Sequence, residues 1–377
     1  MAKLGDFFTI ASGGTPDKRN PSYYENGTIP WVKTGDLKNQ YVPAGIECIT
    51  EEGLNNSSAK LFPPNTVLVA MYGATIGACS ILTYEAATNQ ACAAFLPNKN
   101  VLPTYLYYFL SSKREQFVKD GVGGAQPNIS AGYLKNVQFG LIPMQQQIDI
   151  VEKLDKVEKL IVLRKEQLAK LDQLVKSRFI ELFGDQKANP FGWPQTTIGD
   201  CCTLKSGTSL PADKENEGGR IPYVKVGDMN YPGNEQYITT SSRFVTEQTA
   251  GAGIFPVGTV IFPKRGGAIG TNKKRLTTLP ICADLNVMGV TAGNALKSQY
   301  LMAYFNMVDL GALDNGSSVP QINNKDIAPL VICLPPLALQ EQFAAFVEQT
   351  DKSKLAIQQS LDKLELLKKS LMQKYFG

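Results

Sequence analysis

The chain contains one sequence pattern twice, with the second copy about 193 residues after the first. Both copies end on Phe-Gly, at Phe183 and Gly184 and again at Phe376 and Gly377. A duplication of this extent predicts two copies of one domain, each followed by the same connecting element. The repeated motifs are IPWVKTGDL at 29–37 with IPYVKVGDM at 221–229, FPPNTVL at 62–68 with FPVGTVI at 255–261, and GATIG at 73–77 with GGAIG at 266–270.

The connecting element is predicted to be a long helix. Residues 144–183 contain no glycine and no proline, and Gly184 follows as a helix end. Their apolar residues recur in alternating steps of four and three, the heptad pattern of a coiled-coil helix. About 40 residues at about 1.5 Å each make a rod of ~60 Å. The apolar seam is Ile150, Leu154, Val157, Ile161, Leu168, Leu171, Val175 and Leu182, with Arg164 and Arg178 at the two remaining seam positions.

The second copy carries the same seam near the end of the chain. Polar seam residues such as Lys354 and Lys368 can set the register of two helices while their long stems reach the surface. Two helices with matching seams most simply pack antiparallel within the chain; the alternative is that each seam pairs with another chain. The second seam is Phe343, Val347, Thr350, Lys354, Ile357, Leu361, Leu364, Lys368, Leu371 and Tyr375.

These patterns predict an α+β protein. Residues 1–143 and 185–335 are rich in glycine, proline and short β-type runs and should form two homologous mixed α/β domains. Residues 144–184 and 336–377 should form the two long antiparallel coiled-coil helices that separate them. We expect the two domains at opposite ends of the helix pair, related by a pseudo-twofold axis.

Composition excludes several classes of function. The 377 residues include no histidine, the commonest general base and transition-metal ligand. The seven cysteines show no paired C-x-x-C spacing, and their odd number is typical of free thiols in a reducing cytoplasm. The chain has neither a glycine-rich phosphate loop nor a run of about 18 apolar residues. We therefore expect a cytoplasmic protein that does not span a membrane and needs neither a metal nor a cofactor.

The loops between the repeated motifs differ in chemistry. Met71 and Tyr72 precede the first GATIG, whereas Lys264 and Arg265 precede its second copy. A protein of this size with two domains related by a twofold axis would match the dyad symmetry of duplex DNA. Because one chain supplies both domains, their DNA-facing surfaces can differ. A common glycine framework with changed side chains is what two readers of different short DNA sequences require. The net charge of +4 permits DNA binding without arguing for it.

Candidate DNA contacts follow from these loops and from the repeated motifs. Lysine and arginine can contact phosphates, arginine can hold guanine through two hydrogen bonds, and tyrosine or threonine can touch base edges or thymine methyls. The candidates are Lys18, Arg19, Lys33, Tyr72, Thr75, Lys225, Lys264, Arg265, Lys273, Lys274 and Arg275.

Most of these candidates also have a structural interpretation. The basic cluster 264–275 is alternatively a solvated loop, and Tyr72 and Thr75 alternatively pack at a strand end. Beside Lys33 and Lys225, we interpret the motif aspartates, Asp36 and Asp228, as caps of backbone amides in a turn. A turn is also the preferred interpretation of Gln126 and Asn128, since their counterparts, Val319 and Gln321, differ in chemistry. The sequence NPSY at 20–23 lacks the second proline of the amino-methyltransferase motif, so we predict no methyltransferase activity.

The order domain, long helix, domain, long helix resembles the specificity subunit of type I restriction–modification systems, over the whole chain. Besides the first and third motifs above, the resemblance rests on GAQPNIS at 124–130 beside SVPQIN at 318–323, and on IPMQQQ at 142–147 beside PPLALQ at 335–340. It implies two target-recognition domains that each read half of a bipartite site in double-stranded DNA. It further implies helices that act as spacer and as platform for two methyltransferase subunits, restriction subunits with ATP-driven translocation in the full complex, and no catalytic activity of the chain itself.

Two other functions stay open at this point. One is a non-enzymatic scaffold, in which a coiled-coil rod joins two protein-binding domains. The other is an orphan DNA reader without enzyme partners. Divergent loops on a common framework favour recognition over a scaffold.

Overall fold

The computed structural model describes residues 2–122, 128–313 and 319–377. The chain divides into two compact units. The first unit comprises residues 1–165 and 359–377, and the second comprises residues 166–358. Each unit therefore holds one globular domain and a part of each long helix.

The first domain is built from short strands and short helices. Proline and an asparagine at positive φ, Asn65 at 68°, precede the apolar run of β6, and Pro103 occupies the first turn of α3. The strands are β1 (Ala2–Lys3), β2 (Ile10–Ser12), β3 (Ile29–Val32), β4 (Cys48–Ile49), β5 (Leu61–Phe62), β6 (Val67–Ala70), β7 (Cys79–Ile81), β8 (Ala86–Thr88), β9 (Cys92–Phe95) and β10 (Gln138–Phe139). The helices are α1 (Leu4–Phe7), α2 (Glu51–Asn55), α3 (Pro103–Ser112), α4 (Arg114–Asp120) and α5 (Ala131–Asn136), followed by the long helix α6 (Met144–Phe183).

Two sheets form the frame of the first domain. One is antiparallel, with the order β2–β9–β6–β7, and the other has the order β4–β3–β8–β5, in which β3 and β8 run parallel. Strand β1 pairs with β10 as a separate antiparallel ribbon. Phe95, Tyr108 and Phe139 are buried in the main core between the first sheet and the helices. Apolar burial of this kind is the main stabilising term, at about 25 cal/mol for each Å² removed from water.

The second domain repeats this topology. Its sheets have the orders β12–β20–β17–β18–β14 and β15–β13–β19–β16, and β11 pairs with β21. The strands are β11 (Gln195–Thr197), β12 (Cys202–Ser206), β13 (Ile221–Val224), β14 (Tyr237–Ile238), β15 (Phe244–Val245), β16 (Ile254–Phe255), β17 (Thr259–Pro263), β18 (Arg275–Thr277), β19 (Ile281–Ala283), β20 (Val287–Ala292) and β21 (Val331–Cys333). The helices are α7 (Ile198–Cys201), α8 (Glu247–Ala250), α9 (Ser298–Met307), α10 (Asn324–Ile327) and the long helix α11 (Leu337–Phe376).

The long helices pair with each other inside each unit, and they run antiparallel. In the first unit, Lys368 Nζ lies 2.5 Å from a Glu158 carboxylate oxygen, and Arg164 Nε donates to Ser360 Oγ at 3.2 Å. In the second unit, Lys354 Nζ lies 2.7 Å from Asp172 Oδ1. All predicted seam positions of both helices are buried or half-buried. The predicted α+β class and the intramolecular, antiparallel pairing are confirmed; the pseudo-twofold relation and the domain boundaries stay predictions.

Each long helix ends in the aromatic core of a domain. Phe183, the last residue of α6, packs in the second unit with ring centroids 4.7 Å from Tyr300 and 5.5 Å from Phe343. Phe376, the last residue of α11, packs in the first unit with its ring centroid 5.4 Å from that of Tyr105. These two anchors give the repeated Phe-Gly motif a physical reason, because each phenylalanine fixes a helix end to a domain.

Candidate nucleic-acid interface

The predicted contacts of the first domain lie on loops that backbone hydrogen bonds hold together. Asn89 N donates to Val32 O at 3.0 Å, next to Lys33 at the end of β3. Met71 N donates to Ala91 O at 2.8 Å, which brings the β6–β7 hairpin loop to the β8–β9 loop. We call this set of loops the first rim; it comprises residues 13–19, 33–36, 71–78, 89–91 and 128–130.

The second domain brings the equivalent loops together in the same way. Asp284 N donates to Val224 O at 2.9 Å, and Lys264 N donates to Asn286 O at 2.8 Å. Ile322 N donates to Lys264 O at 2.9 Å and adds the segment before α10. This second rim comprises residues 207–217, 225–228, 264–274, 284–286 and 319–323.

Tyr72 and Arg265 occupy equivalent exposed positions on the two rims. Tyr72 is 44% exposed, and its backbone forms an antiparallel bridge with Asn128. Arg265 is exposed and bridges Gln321 in the same way. Each precedes a glycine at positive φ, Gly73 at 66° and Gly266 at 71°, a conformation that side chains other than glycine rarely adopt. The frame is therefore common to both rims, while the side chain that it presents differs.

Thr75 and Asn128 serve the local turns of the first rim. Thr75 Oγ1 donates to Tyr72 O at 3.1 Å, so its hydroxyl group belongs to the hairpin loop. The Asn128 backbone donates to and accepts from Val122, and the turn interpretation of its side chain stays a prediction. Gln126 lies outside the described residues.

The hairpin loop of the second rim is two residues longer than that of the first, which corrects the repeat alignment. Val67 on β6 pairs with Ile81, whereas its counterpart Val260 on β17 pairs with Leu276. A constant shift of about 193 residues matches Ser80 with Lys273, but the strand register matches Ser80 with Arg275. The two side chains share a role: Ser80 Oγ donates to Asn39 O at 2.5 Å, and Arg275 donates to a carbonyl group of the equivalent segment.

The basic cluster 264–275 is largely turned into the domain. Lys264 is 9% exposed and donates through Nζ to Ser206 Oγ at 2.8 Å; burial lowers its pKa. Lys274 is 4% exposed, and burial lowers its pKa to about 8. Arg275 is half-buried and donates to Met229 O at 3.0 Å.

The structure therefore brings to the surface only part of the predicted cluster. Arg265 is exposed, and Lys273, whose Nζ donates to Asn230 Oδ1, is partly exposed. Neither a solvated loop nor a uniformly basic DNA-binding loop describes the segment. The sequence provided no signal for this difference, because Lys264, Lys274 and Arg275 each donate to an acceptor that is distant along the chain, Ser206, Val308 and Met229 respectively.

Lys33 and Lys225 are each paired with a glutamate. The Lys33 ammonium contacts the Glu47 carboxylate, and its Nζ lies 5.8 Å from the centroid of the Trp31 ring. Lys225 Nζ lies 2.7 and 2.6 Å from the two Glu215 carboxylate oxygens, again over an aromatic ring. Reasoning from the sequence missed both glutamates, which lie in segments that do not correspond between the copies.

The motif aspartates act as the turn interpretation requires. Asp36 Oδ2 accepts from Lys33 N at 2.8 Å, and Asp228 Oδ2 accepts from Lys225 N at 2.7 Å. Each carboxylate thereby closes the short 3₁₀ turn that follows β3 or β13. The backbone at Lys33 and Lys225 is consequently fixed, and the two ammonium groups sit at matching places on the rims.

Lys18 and Arg19 are exposed on the loop that follows β2. The Arg19 guanidinium donates to the Asp17 carboxylate at 2.7 Å, and this hydrogen bond lowers the pKa of Asp17 to about 2. Thr15 Oγ1 lies 2.5 Å from Gln90 Oε1, which attaches the loop to the first rim.

Among residues 2–122, 128–313 and 319–377, no group of three or more histidine, cysteine, aspartate or glutamate side chains is arranged to hold a metal ion. No helix within these ranges has the length and apolar character needed to cross a membrane.

The chain is similar to known proteins along most of its length. The family model for the type I restriction modification DNA specificity domain matches residues 1–173 and again 190–367. The MjaIX specificity subunit of a type I restriction enzyme from Methanocaldococcus jannaschii is 25% identical over 402 aligned positions, spanning 99% of this chain and 91% of that protein. The EcoR124I/EcoR124II specificity subunit from Escherichia coli is 29% identical over 154 positions, 40% of this chain and 38% of that protein.

Solved structures show the same fold. A chain from a type I restriction–modification system superposes with a TM-score of 0.63 at 19% identity, covering 100% of this chain and 96% of that one. The S subunit of the type I system of M. genitalium gives a TM-score of 0.57 at 16% identity, over 100% of this chain and 95% of that one. With two matches to the family model that together span most of its length, the chain belongs to the family of type I restriction modification DNA specificity domains and has two target-recognition domains.

Proposed function

We propose that the two rims read the two halves of a bipartite sequence in double-stranded DNA. The observation that carries the proposal is the matched pair Tyr72 and Arg265, which project from the same turn on equivalent frames. A guanidinium group can donate two hydrogen bonds to guanine O6 and N7, whereas a phenol offers one hydroxyl group and an apolar ring. Two rims with these side chains would select different bases.

The neighbouring basic residues would add contacts to the phosphates. Lys18 and Arg19 on the first rim, and Lys273 on the second, are exposed or partly exposed. Lys33 and Lys225 would contact phosphates only after exchanging their glutamate partners for DNA. Such contacts set the register of the protein on the duplex and carry no base information of their own.

We further propose that the chain is the non-catalytic subunit of a larger complex. The relatives are specificity subunits of type I restriction enzymes, and the sequence resemblance implies methyltransferase partners that act on the DNA selected by such a subunit. In this proposal the antiparallel helices α6 and α11 set the distance between the half-sites and dock two modification subunits. Restriction and translocase subunits join the same assembly, and the complex works in the cytoplasm.

Exchange of one domain tests the proposal. The full chain is produced with type I methyltransferase subunits in a host without such a system, and genomic methylation is mapped by sequencing. We expect a two-part methylated sequence. Replacing residues 1–143 by the equivalent domain of another family member should change one half of it, and replacing residues 185–335 should change the other.

The outcome also separates the proposal from a scaffold function. A protein-binding scaffold would leave the methylated sequence the same after either exchange, or would support no sequence-specific methylation. Either result, obtained with chains that fold and still bind the methyltransferase, would defeat the proposal. The matched control is exchange of a domain for one from a relative that methylates the same half-site.

A further inference from the structure

The two hairpin loops are closed in different ways. In the first rim, Gly77 at φ 74° packs so tightly that a Cβ atom there would lie 2.8 Å from Arg114 Cγ on α4. Cys79 follows, is buried, and its Sγ donates to Gly77 O at 3.3 Å. The first loop is thus closed by direct contact of a glycine with a neighbouring helix.

In the second rim, an asparagine and a lysine close the longer loop. Asn272 stands at the position of Gly77 and takes positive φ, 53°. Its Oδ1 accepts from Lys274 Nζ at 2.6 Å and from Leu310 N at 2.9 Å. Lys274 stands at the position of Cys79, and its Nζ also donates to Val308 O at 2.7 Å.

These hydrogen bonds connect the reading loop to a rigid element. Val308 and Leu310 directly follow α9, whose aromatic face is buried in the core of the second domain. The chain from 264 to 273, with Arg265 near its start, is thereby fixed at its far end to that helix. With 4% of Lys274 exposed, its ammonium group is directed into the domain and away from solvent.

We propose that Lys274 is a positioning residue for the second rim, which acts through Asn272 and the segment 308–310 to hold the loop in its DNA-reading shape. The inference rests on the proposed function and deepens it. Base readout needs donors held to within about 0.5 Å of their productive geometry, and a loop fixed in advance loses less entropy on binding. The first rim, closed by Gly77, does not depend on such a residue.

Selection from a pool of duplex DNA with randomised positions tests the inference. The purified full-length chain and its Lys274→Met variant are each used to enrich bound duplexes, and the enriched sequences are compared. Methionine has a similar length and fills the buried site without the hydrogen bonds. We expect the variant to lose about tenfold in enrichment at the half-site of the second rim, since hydrogen bonds made by a charged group are among the stronger ones. The other half-site should be unchanged.

Salt dependence separates positioning from contact with DNA. A lysine that neutralises a phosphate changes the slope of log affinity against log salt concentration by about 0.9 on removal. We expect the slope of Lys274→Met to equal that of the wild-type chain. The matched control is Lys187→Met, which removes an exposed lysine of the second unit outside the rim and should leave enrichment and slope unchanged.

Two variants of Asn272 keep the test independent of any folding defect in the Lys274→Met variant. Asn272→Gly accepts positive φ without strain and removes the shared acceptor, so it should reproduce the loss seen in Lys274→Met. Asn272→Asp keeps an acceptor oxygen at the same place and should retain wild-type enrichment. Thermal unfolding of each variant checks that the domain is folded.

Three results would overturn the inference: a fall in salt slope with Lys274→Met, equal loss at both half-sites, or wild-type selection by both Lys274→Met and Asn272→Gly. If the wild-type chain enriches no sequence, alone or in complex with type I methyltransferase subunits, the proposed function fails instead. If it enriches a two-part sequence and the variants match it, only the role of Lys274 is refuted.

Discussion

At the residue scale, the equivalent lysines of the two domains, Lys33 and Lys225, each form an ion pair with a glutamate, and the two glutamates do not correspond in sequence. Glu47 lies 14 residues after Lys33, directly before β4, whereas Glu215 lies 10 residues before Lys225. Both carboxylates nevertheless contact the equivalent ammonium group. The Lys33–Glu47 pair is exposed, and such pairs contribute about 0–1 kcal/mol, so stability alone is a weak reason for this pair. The pairs hold each lysine near its aromatic neighbour, and in the proposed function a phosphate would replace the carboxylate.

Arg265 is the position where a single substitution should alter the bases that are read. We expect Arg265→Ala to relax selection at one base pair in the half-site of the second rim, because loss of a two-bond contact to guanine costs about 1–3 kcal/mol of discrimination. Enrichment from a randomised duplex pool measures the change. Tyr72→Ala should relax one position in the opposite half-site.

The matched control for this change is Arg220→Ala. Arg220 is exposed in the same unit and lies outside the second rim, so its removal changes net charge equally. Selection by this variant should be that of the wild-type chain. Equal weakening of both half-sites by Arg265→Ala and Arg220→Ala would mean that the arginine contributes only general charge, contrary to the proposal.

The location of the rims could be inferred from the sequence, but the orientation of their side chains could not. The divergent residues directly before the repeated glycines, Tyr72 and Arg265, were predicted to lie in loops, and both are exposed. The run of basic residues that ends at Arg275 gave no sign of burial. The acceptors of Lys274, Val308 O and Asn272 Oδ1, become neighbours only when α9 packs on the sheet.

At the scale of elements, one buried glutamine attaches each long helix to its domain. Gln147 is fully buried: its Oε1 accepts from Leu102 N at 2.9 Å, and its Nε2 donates to Asn100 O at 2.8 Å and Ile142 O at 2.9 Å. Gln340 at the start of α11 makes the equivalent three hydrogen bonds. The repeated glutamine of the motifs at 142–147 and 335–340 thus joins, by hydrogen bonds, the first turn of each long helix to the loop before α3 or α9.

Removal of the Gln147 hydrogen bonds should destabilise the first unit. Gln147→Leu leaves one N–H and two C=O groups without their partner in a part-buried place, and each such group costs up to about 1–3 kcal/mol. We expect the free energy of unfolding of the first unit to fall by about 3 kcal/mol. Chemical denaturation followed by a probe in each unit measures the change.

The control for this substitution lies on the same helical turn. Gln145 is exposed and bonds only along the helix to Asp149 in its described side-chain contacts, so Gln145→Leu should change stability by less than about 0.5 kcal/mol. The unfolding of the second unit should be unaffected by either variant. A Gln147→Leu chain as stable as the wild type would show that these hydrogen bonds do not stabilise the first unit.

The long helices were predictable and the sheets were not, for a physical reason. Heptad spacing is local, so the seam from Ile150 to Leu182 could be read along the chain, and each of its positions is buried or half-buried. Strands β3 and β8 are short and far apart in sequence, and their parallel pairing depends on the whole domain. The same dependence hid the two extra residues of the second hairpin loop, which only the strand register reveals.

At the scale of the whole molecule, each unit contains parts of both long helices. Residues 144–165 of α6 and 359–376 of α11 belong to the first unit, and the remaining parts of both belong to the second. A change in the length of one helix therefore has to be matched in the other if the seam is to stay paired. This requirement makes the proposed spacer function open to a sharp test.

Insertion of one heptad into both helices should widen the gap between the half-sites. Seven residues placed between Lys165 and Glu166, and seven between Gln358 and Gln359, keep the seam in register and lengthen the pair by about 10 Å. This length corresponds to about three base pairs at 3.4 Å each. Methylation mapping should show the same two half-sites with a gap about three base pairs longer.

The control is a heptad in α6 alone, which leaves seven residues without a partner and should abolish methylation. Methylation at the original gap by the doubly extended chain would show that the helices do not set the spacing.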